Sequence, residues 1–112
     1  MNRGELLTEF EQLVLLALVR LGEEAYGVTI REEIEDRAGR TVSLAAAYAA
    51  LERMQQRGYV NSWVSEPQPV RGGRARKHFQ IEAAGAQALR ASRTAMQRMW
   101  DGLEAHPDLE AS

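Results

Sequence analysis

Between residues 9 and 21, apolar side chains recur at Phe10, Leu13, Val14, Ala17, Leu18 and Leu21, the spacing that lines one face of an α-helix. Leu15, Leu16 and Val19 lie off that stripe, so this helix is expected to be buried on more than one side, against a second chain or centrally within its own core. Thr8 with Glu11 three residues on has the spacing of a reciprocal capping box, and Gly22 closes the helix. A second helix is predicted from Tyr26 to Ala38, with Val28, Ile30, Ile34 and Ala38 apolar and Gly39 as its stop. Ser43, whose hydroxyl suits the amides of a first turn, then precedes a third helix from Leu44 to Arg57 that Gly58 ends. Leu44, Ala47, Leu51 and Met54 share one face of it, while Ala45, Ala46, Ala49, Glu52, Arg53 and Gln56 point the other way. Helix, short turn, helix is the helix-turn-helix layout.

Tyr59 to Ser65 is β-branched and aromatic and reads as a strand, followed by a loop with Pro67, Pro69, Gly72 and Gly73 and a second strand from Arg76 to Ile81. The two strands make a hairpin, or wing. From Ala83 to about Ala105 the pattern is helical again, and Leu89, Ser92, Met96, Met99 and Leu103 alternate steps of three and four, the spacing of a coiled-coil seam with Trp100 beside it. A helix of about 22 residues is roughly 33 Å long, as long as a small domain is wide, and is expected to pair with a second copy. Pro107 is its predicted stop, and residues 106–112 are expected to fray. The predicted fold is therefore mainly α (α+β), a winged helix-turn-helix. Residues 1–81 are expected to form the winged helix-turn-helix region and 82–105 a dimerisation helix of the same single domain.

Composition adds limits. A chain of 112 residues with 45% apolar content has one modest core, and its lack of cysteine removes disulfides, thiolate-metal sites and cysteine nucleophiles and fits a cytoplasmic location. The longest apolar run, Leu13 to Val19, is too short to span a bilayer, and Glu5, Glu9 and Glu11 carry the wrong charge for a signal peptide, so no membrane association is expected. An enzyme is not expected either. The chain has no Ser/His/Asp spacing, no glycine-rich phosphate loop and only His78 and His106, so neither a metal nor a cofactor is implied, and His78 reads as a strand residue.

Charge is more informative. The net charge is only −2, but residues 1–36 hold nine acids and three bases, residues 37–81 two acids and eight bases, and residues 82–112 five acids and three bases, or −6, +6 and −2. Arg71, Arg74, Arg76 and Lys77 crowd the hairpin tip without an acid, and Gly72-Gly73 suits a tight turn. Cations gathered on one surface neutralise several phosphates at once, so a nucleic-acid surface is expected in preference to a merely solvated face. Ser43, Tyr48 and Arg53 are candidates for phosphate contact. The duller alternatives are core packing for Tyr48 and an ion pair with an acid on its own helix for Arg53.

Ala25-Tyr26-Gly27, Ser43, Tyr48, Arg57-Gly58-Tyr59-Val60, Gly72-Gly73-Arg74, Arg76-Lys77 and Phe79 together resemble the PadR-like winged helix-turn-helix transcriptional regulators, from about Leu6 to Leu103. The resemblance implies a bacterial homodimer that represses its target promoter, often its own, and in some members releases DNA on binding a small molecule. Two departures stand out. Ala45-Ala46-Ala47-Tyr48-Ala49 occupies the place where the family commonly has Gly-Thr-Ile-Tyr-Pro, and Glu82 stands for the usual Thr before the last helix. Alanine methyls touch thymine methyls but donate no hydrogen bonds, so Ala45, Ala46 and Ala49 imply apolar contacts and DNA shape as the means of reading sequence. Glu82 is a poorer cap, so the start of the last helix is expected to fray.

The expected partner is thus double-stranded DNA with a pseudo-palindromic operator, met by Ser43, Ala45, Ala46, Tyr48, Ala49, Arg53, Arg71, Arg74, Arg76 and Lys77. The expected homodimer interface comprises Leu15, Leu16, Val19, Leu89, Ser92, Met96, Met99, Trp100 and Leu103. Some short relatives hold flat aromatic compounds between their paired last helices, stacked on a tryptophan, which the resemblance carries to Met96, Met99 and Trp100. The alternatives to a repressor are a small-molecule sensor and a winged-helix module that binds only protein.

Overall fold

The computed structural model describes residues 6–66 and 75–110. Its elements are α1 (Glu9–Leu21), α2 (Gly27–Ala38), α3 (Leu44–Gln56), β1 (Val60–Val64), β2 (Lys77–Ile81) and α4 (Ala83–Trp100), with single 3-10 turns at Gly22–Glu24 and Pro107–Leu109. This is the predicted mainly α winged helix-turn-helix. Local chemistry sets the helix starts. Thr8 Oγ1 accepts from the Glu11 amide at 3.1 Å while Glu11 Oε1 accepts from the Thr8 amide at 2.9 Å, and Ser43 Oγ accepts from the Ala46 amide at 3.0 Å. Gly39, at φ +64°, ends α2 in the left-handed conformation.

The core lies where the first three helices meet the sheet: Val14, Leu15 and Leu18 of α1, Ile30 and Ile34 of α2, Ala47, Ala50, Leu51 and Met54 of α3, and Val60 and Phe79 of the strands. Leu15 is 0% exposed and is a core residue rather than an interface residue. The side of α1 that Leu15 represents is thus buried within its own chain, whereas Leu16 and Val19 remain exposed.

Strands β1 and β2 pair antiparallel, with Val60 opposite Ile81 and Val64 opposite Lys77. A bridge between Tyr26 and His78 and a 2.9 Å bond from the Phe79 amide to the Ala25 carbonyl fasten the start of α2 to the free side of β2. The wing and the helix-turn-helix are therefore one unit, tied through backbone groups.

Helix α4 approaches the sheet closely. The Glu82 amide donates to the Tyr59 carbonyl at 2.8 Å, and Gly85 lies against the same carbonyl, with Ile81 Cγ1 only 3.0 Å from where a Cβ would sit. Glu82 stands at the N-cap of α4 but makes no side-chain capping bond there; its carboxylate accepts from the Asn61 side-chain amide instead, and the helix begins at Ala83. The helix also ends at Trp100 rather than near Ala105. Asp101 leaves helical geometry at ψ 123° and Gly102 sits at φ +81°, so the stop lies ahead of Pro107. Eighteen residues make α4 roughly 27 Å long at 1.5 Å per residue. Leu103 falls beyond it and drops out of the helical seam. Ser92 leaves the seam too, because it is buried with its Oγ accepting from the Leu7 amide at 3.0 Å, and Leu89 packs half-buried on the core. What stays open is the last turn and a half, with Met96 58%, Met99 73% and Trp100 46% exposed.

Candidate nucleic-acid interface

The outward face of α3 follows from its pattern of apolar residues. Ala47, Ala50, Leu51 and Met54 are turned into the core, which leaves Ser43, Ala45, Ala46, Tyr48, Ala49, Glu52, Arg53 and Gln56 exposed on one continuous surface. Three small methyl groups, with Ser43 and Tyr48 beside them, make the first half of this face poor in hydrogen-bond donors, and Arg53 and Gln56 follow in the second half.

Tyr48 packs at the edge of the core and stays partly exposed. Its ring tilts against Phe79 of β2 at a centroid distance of 6.2 Å, and its hydroxyl end rests on the Gly27 backbone, yet it keeps 41% of its surface exposed. A Cβ at position 27 would stand 2.6 Å from Tyr48 Cζ, so Gly27 is the residue that lets α2 approach this ring. The Ala-Tyr-Gly segment and Tyr48 are thereby two halves of one contact between the helices.

Between α3 and β2 runs a groove of about 400 Å³ lined by Tyr48, Glu52, Gln55, Gln56, Lys77 and Phe79. Lys77 Nζ lies 5.6 Å over the Phe79 ring, which brings a wing cation beside the exposed face of α3. Arg53 lies on that face, and neither it nor Lys77 has an ion pair among the described residues, against the alternative of an intrahelical pair for Arg53. Arg71 and Arg74, with the Gly72-Gly73 turn, lie outside the described residues.

The basic block of the sequence is less concentrated in space than along the chain. Arg37 pairs with Glu33, Arg40 Nη1 with Glu9 Oε1 at 2.7 Å, and Arg57 Nη1 with the buried Glu11 at 3.9 Å. Arg40 also covers the Phe10 ring at 5.2 Å and Arg57 the Tyr59 ring at 5.8 Å. Three of the eight bases between residues 37 and 81 therefore serve the domain's own acids and aromatic rings. Arg53, Arg76 and Lys77 are the described ones that remain.

Arg76 is held on the other face of the wing. Its Nη1 donates to Tyr26 Oη at 2.7 Å and its guanidinium lies 4.4 Å from the centre of the Tyr26 ring. Tyr26 meets His78 edge to face at 5.4 Å, and His78 stacks on Trp63 at 5.2 Å and 13°. His78 is buried, with Nδ1 2.8 Å from the Glu23 carbonyl; a carbonyl only accepts, so Nδ1 carries the hydrogen. The sequence pattern alone gives Tyr26, Trp63 and His78 no place in the site. Alternation along β2 and the residue before it puts Arg76 and His78 on one face, but the partners come from elsewhere in the chain.

The residues considered for a ligand are less converged. Trp100 borders a shallow depression with Thr94, Gln97, Arg98, Asp101 and Glu104, while Met96 and Met99 lie outside its lining. A more apolar groove lies between α1 and the sheet, lined by Leu18, Val19, Gly22, Glu23, Trp63, Gln80 and Ile81. No group of three metal-ligating side chains converges among the described residues, and no helix among them is long and apolar enough to cross a membrane.

Comparison with known proteins agrees with this geometry. No curated protein matches the sequence. Among solved structures, a PadR-like transcriptional regulator from Bacillus cereus superposes with a TM-score of 0.69 at 19% identity, over 92% of this chain and 93% of that one. A PadR family regulator from Eggerthella lenta DSM 2243 gives 0.67 at 23% identity over 91% and 88%, and one from Clostridium difficile R20291 gives 0.67 at 19% identity over 84% and 96%. Residues 15–91 match the transcriptional regulator PadR-like family, a span from within α1 to the middle of α4 that takes in the helix-turn-helix and the wing and stops short of Met96. The chain belongs to the PadR-like family of transcriptional regulators.

Proposed function

We propose that this regulator is a cytoplasmic homodimer that binds a pseudo-palindromic operator and represses a neighbouring promoter or its own. The observation that carries the reading is the exposed face of α3 with Arg53 on it and Lys77 of the wing beside it, two cations with no ion pair among the described residues. In this reading the two α3 helices of a dimer enter successive major grooves about 34 Å apart, and the wings grip the flanking backbone. Ala45, Ala46 and Ala49 meet thymine methyls, Ser43, Tyr48 and Arg53 meet phosphates, and Arg71, Arg74, Arg76 and Lys77 supply orientation and affinity more than base readout.

The dimer is supported by apolar surface that a single chain leaves wet: Met96, Met99 and Trp100 at the end of α4, and Leu16 and Val19 on α1. Leu89 at the half-buried middle of α4 continues the α4 surface. Repression is the regulatory sense that the family resemblance implies, and the chemistry is binding, without catalysis.

Footprinting on the DNA around the protein's own gene tests the reading. Two protected half-sites related by a dyad, centred one helical turn apart or a multiple of it, support it; uniform protection or none overturns it. The exposed Trp100 with Met96 and Met99 favours a second, compatible role as a sensor of flat aromatic compounds. Quenching of tryptophan emission by planar dyes that is lost in Trp100→Ala supports that role, and no quenching by a broad panel overturns it.

A further inference from the structure

We propose that Tyr26 is a positioning residue for DNA binding, holding the guanidinium of Arg76 in place at the base of the wing before DNA arrives. The proposal rests on the DNA-binding reading above and assigns a task to a residue that itself touches no DNA in that account.

Arg76 and Tyr26 are fifty positions apart in the chain, and two different interactions join them: the 2.7 Å bond from Nη1 to the phenol oxygen and the guanidinium lying 4.4 Å from the ring centre. An exposed arginine normally samples many rotamers, and immobilising it on a phosphate costs entropy; a side chain already fixed avoids that loss. Tyr26 is itself braced. Its backbone bridges to His78, its amide donates to Thr29 Oγ1 at 3.1 Å, and its ring abuts the His78 imidazole, which is pinned by the Glu23 carbonyl and by the stacked Trp63. The brace engages one nitrogen of a planar fork, so other N–H groups stay available to a phosphate oxygen. Lysine at position 76 would keep the charge but lacks the rigid planar fork that holds one N–H on the phenol oxygen while presenting others in fixed directions.

From the ordering cost of one such side chain, losing the brace weakens binding by about twofold to tenfold per subunit, or about fourfold to a hundredfold for a symmetric dimer. The charge is untouched, so the salt dependence stays as in the wild type. This separates a positioning role from direct phosphate binding, because Arg76→Ala makes the salt slope shallower by about one for each phosphate that is no longer neutralised.

The test is the affinity of full-length dimer for its operator duplex over a salt series, for wild type, Tyr26→Phe, Tyr26→Leu, Arg76→Ala, Arg76→Lys and the double variant Tyr26→Leu/Arg76→Ala, each checked for folding by thermal unfolding. The expected results are a fall for Tyr26→Leu with unchanged slope, a smaller fall for Tyr26→Phe, which keeps the ring, a fall for Arg76→Lys with unchanged slope, and no further loss when Tyr26→Leu is added to Arg76→Ala. In the free protein, the Arg76 side-chain protons should show an upfield ring-current shift that Tyr26→Leu abolishes. Equal losses from Tyr26→Leu with and without Arg76, or no ring-current shift in the wild type, overturn the proposal alone. Absence of duplex binding by the wild type overturns the DNA reading and this role with it.

Discussion

Replacing Gly85 by alanine is a severe test of how α4 is seated. In an ordinary helix the change stabilises by about 0.5–1 kcal/mol, because glycine loses more backbone entropy on folding. Here the added Cβ would run into the Tyr59 carbonyl oxygen and stand 3.0 Å from both the Tyr59 carbonyl carbon and Ile81 Cγ1. The obstacle is backbone, and the same carbonyl accepts the Glu82 amide at the helix start, so relief requires α4 to back away from β1. Overpacking of this kind costs about 1–3 kcal/mol, and the absence of a side chain able to swing aside places the cost at the upper end. Net of the propensity gain, a destabilisation of about 2 kcal/mol is expected, or a fall in Tm on the order of 8 °C for a domain of this size. Thermal unfolding at a fixed protomer concentration measures it, since self-association of any kind makes Tm concentration-dependent. Ala84→Gly, at the exposed neighbouring position, is the control and should lose only the ordinary helix propensity of about 1 kcal/mol. A Gly85→Ala protein with an unchanged or raised Tm would refute the argument that α4 is held at contact distance from the strand.

Further outcomes follow from the same geometry. Lys77→Ala should weaken binding to all duplex sequences alike and make the salt slope shallower by about one for each phosphate left without its cation, read by fluorescence anisotropy; a loss confined to the operator would contradict a backbone role. Leu15→Ala should destabilise the fold by about 2–5 kcal/mol in urea denaturation, because Leu15 is fully buried within its own chain, whereas Leu16→Ala should act mainly through association. Met99→Glu, at a 73% exposed position, should leave a single chain folded and shift sedimentation from dimer towards monomer; an unchanged dimer would place the interface elsewhere. Base substitution at thymines facing α3 should reduce affinity, and indifference at every such thymine would rule out readout through Ala45, Ala46 and Ala49.

Features governed by nearest neighbours were legible in the sequence. Thr8 with Glu11 and Ser43 with Ala46 cap helices within three residues of themselves, and the bounds of α1 and α3 follow within a residue. The outward face of α3 was legible too, because its large apolar residues leave only one way for it to pack. What required the fold was anything set by residues distant in sequence. Arg40 meets Glu9 across thirty-one positions and Arg57 meets Glu11, so the charge block counted along the chain overstated the free cations. The spacing in α1 identified a stripe but not its width, which is why Leu15 looked available. Ser92 lies on the seam by period, yet the Leu7 amide claims its hydroxyl. The early end of α4 was available in Gly102, a stronger stop than Pro107 because its position needs a positive φ. His78 is more than a strand residue only because Tyr26, Trp63 and Glu23 close around it.

The central claim is that α3 and the wing bind DNA as a pair, using cations not consumed by the domain's own acids. Three or four cations per subunit in a dimer neutralise roughly six to eight phosphates, so log affinity plotted against log salt for the operator duplex should fall with a slope of about −5 to −7. The measurement needs only purified protein, labelled duplex and a salt series. A slope within that range is the predicted result; no duplex binding, or binding indifferent to salt, would contradict it.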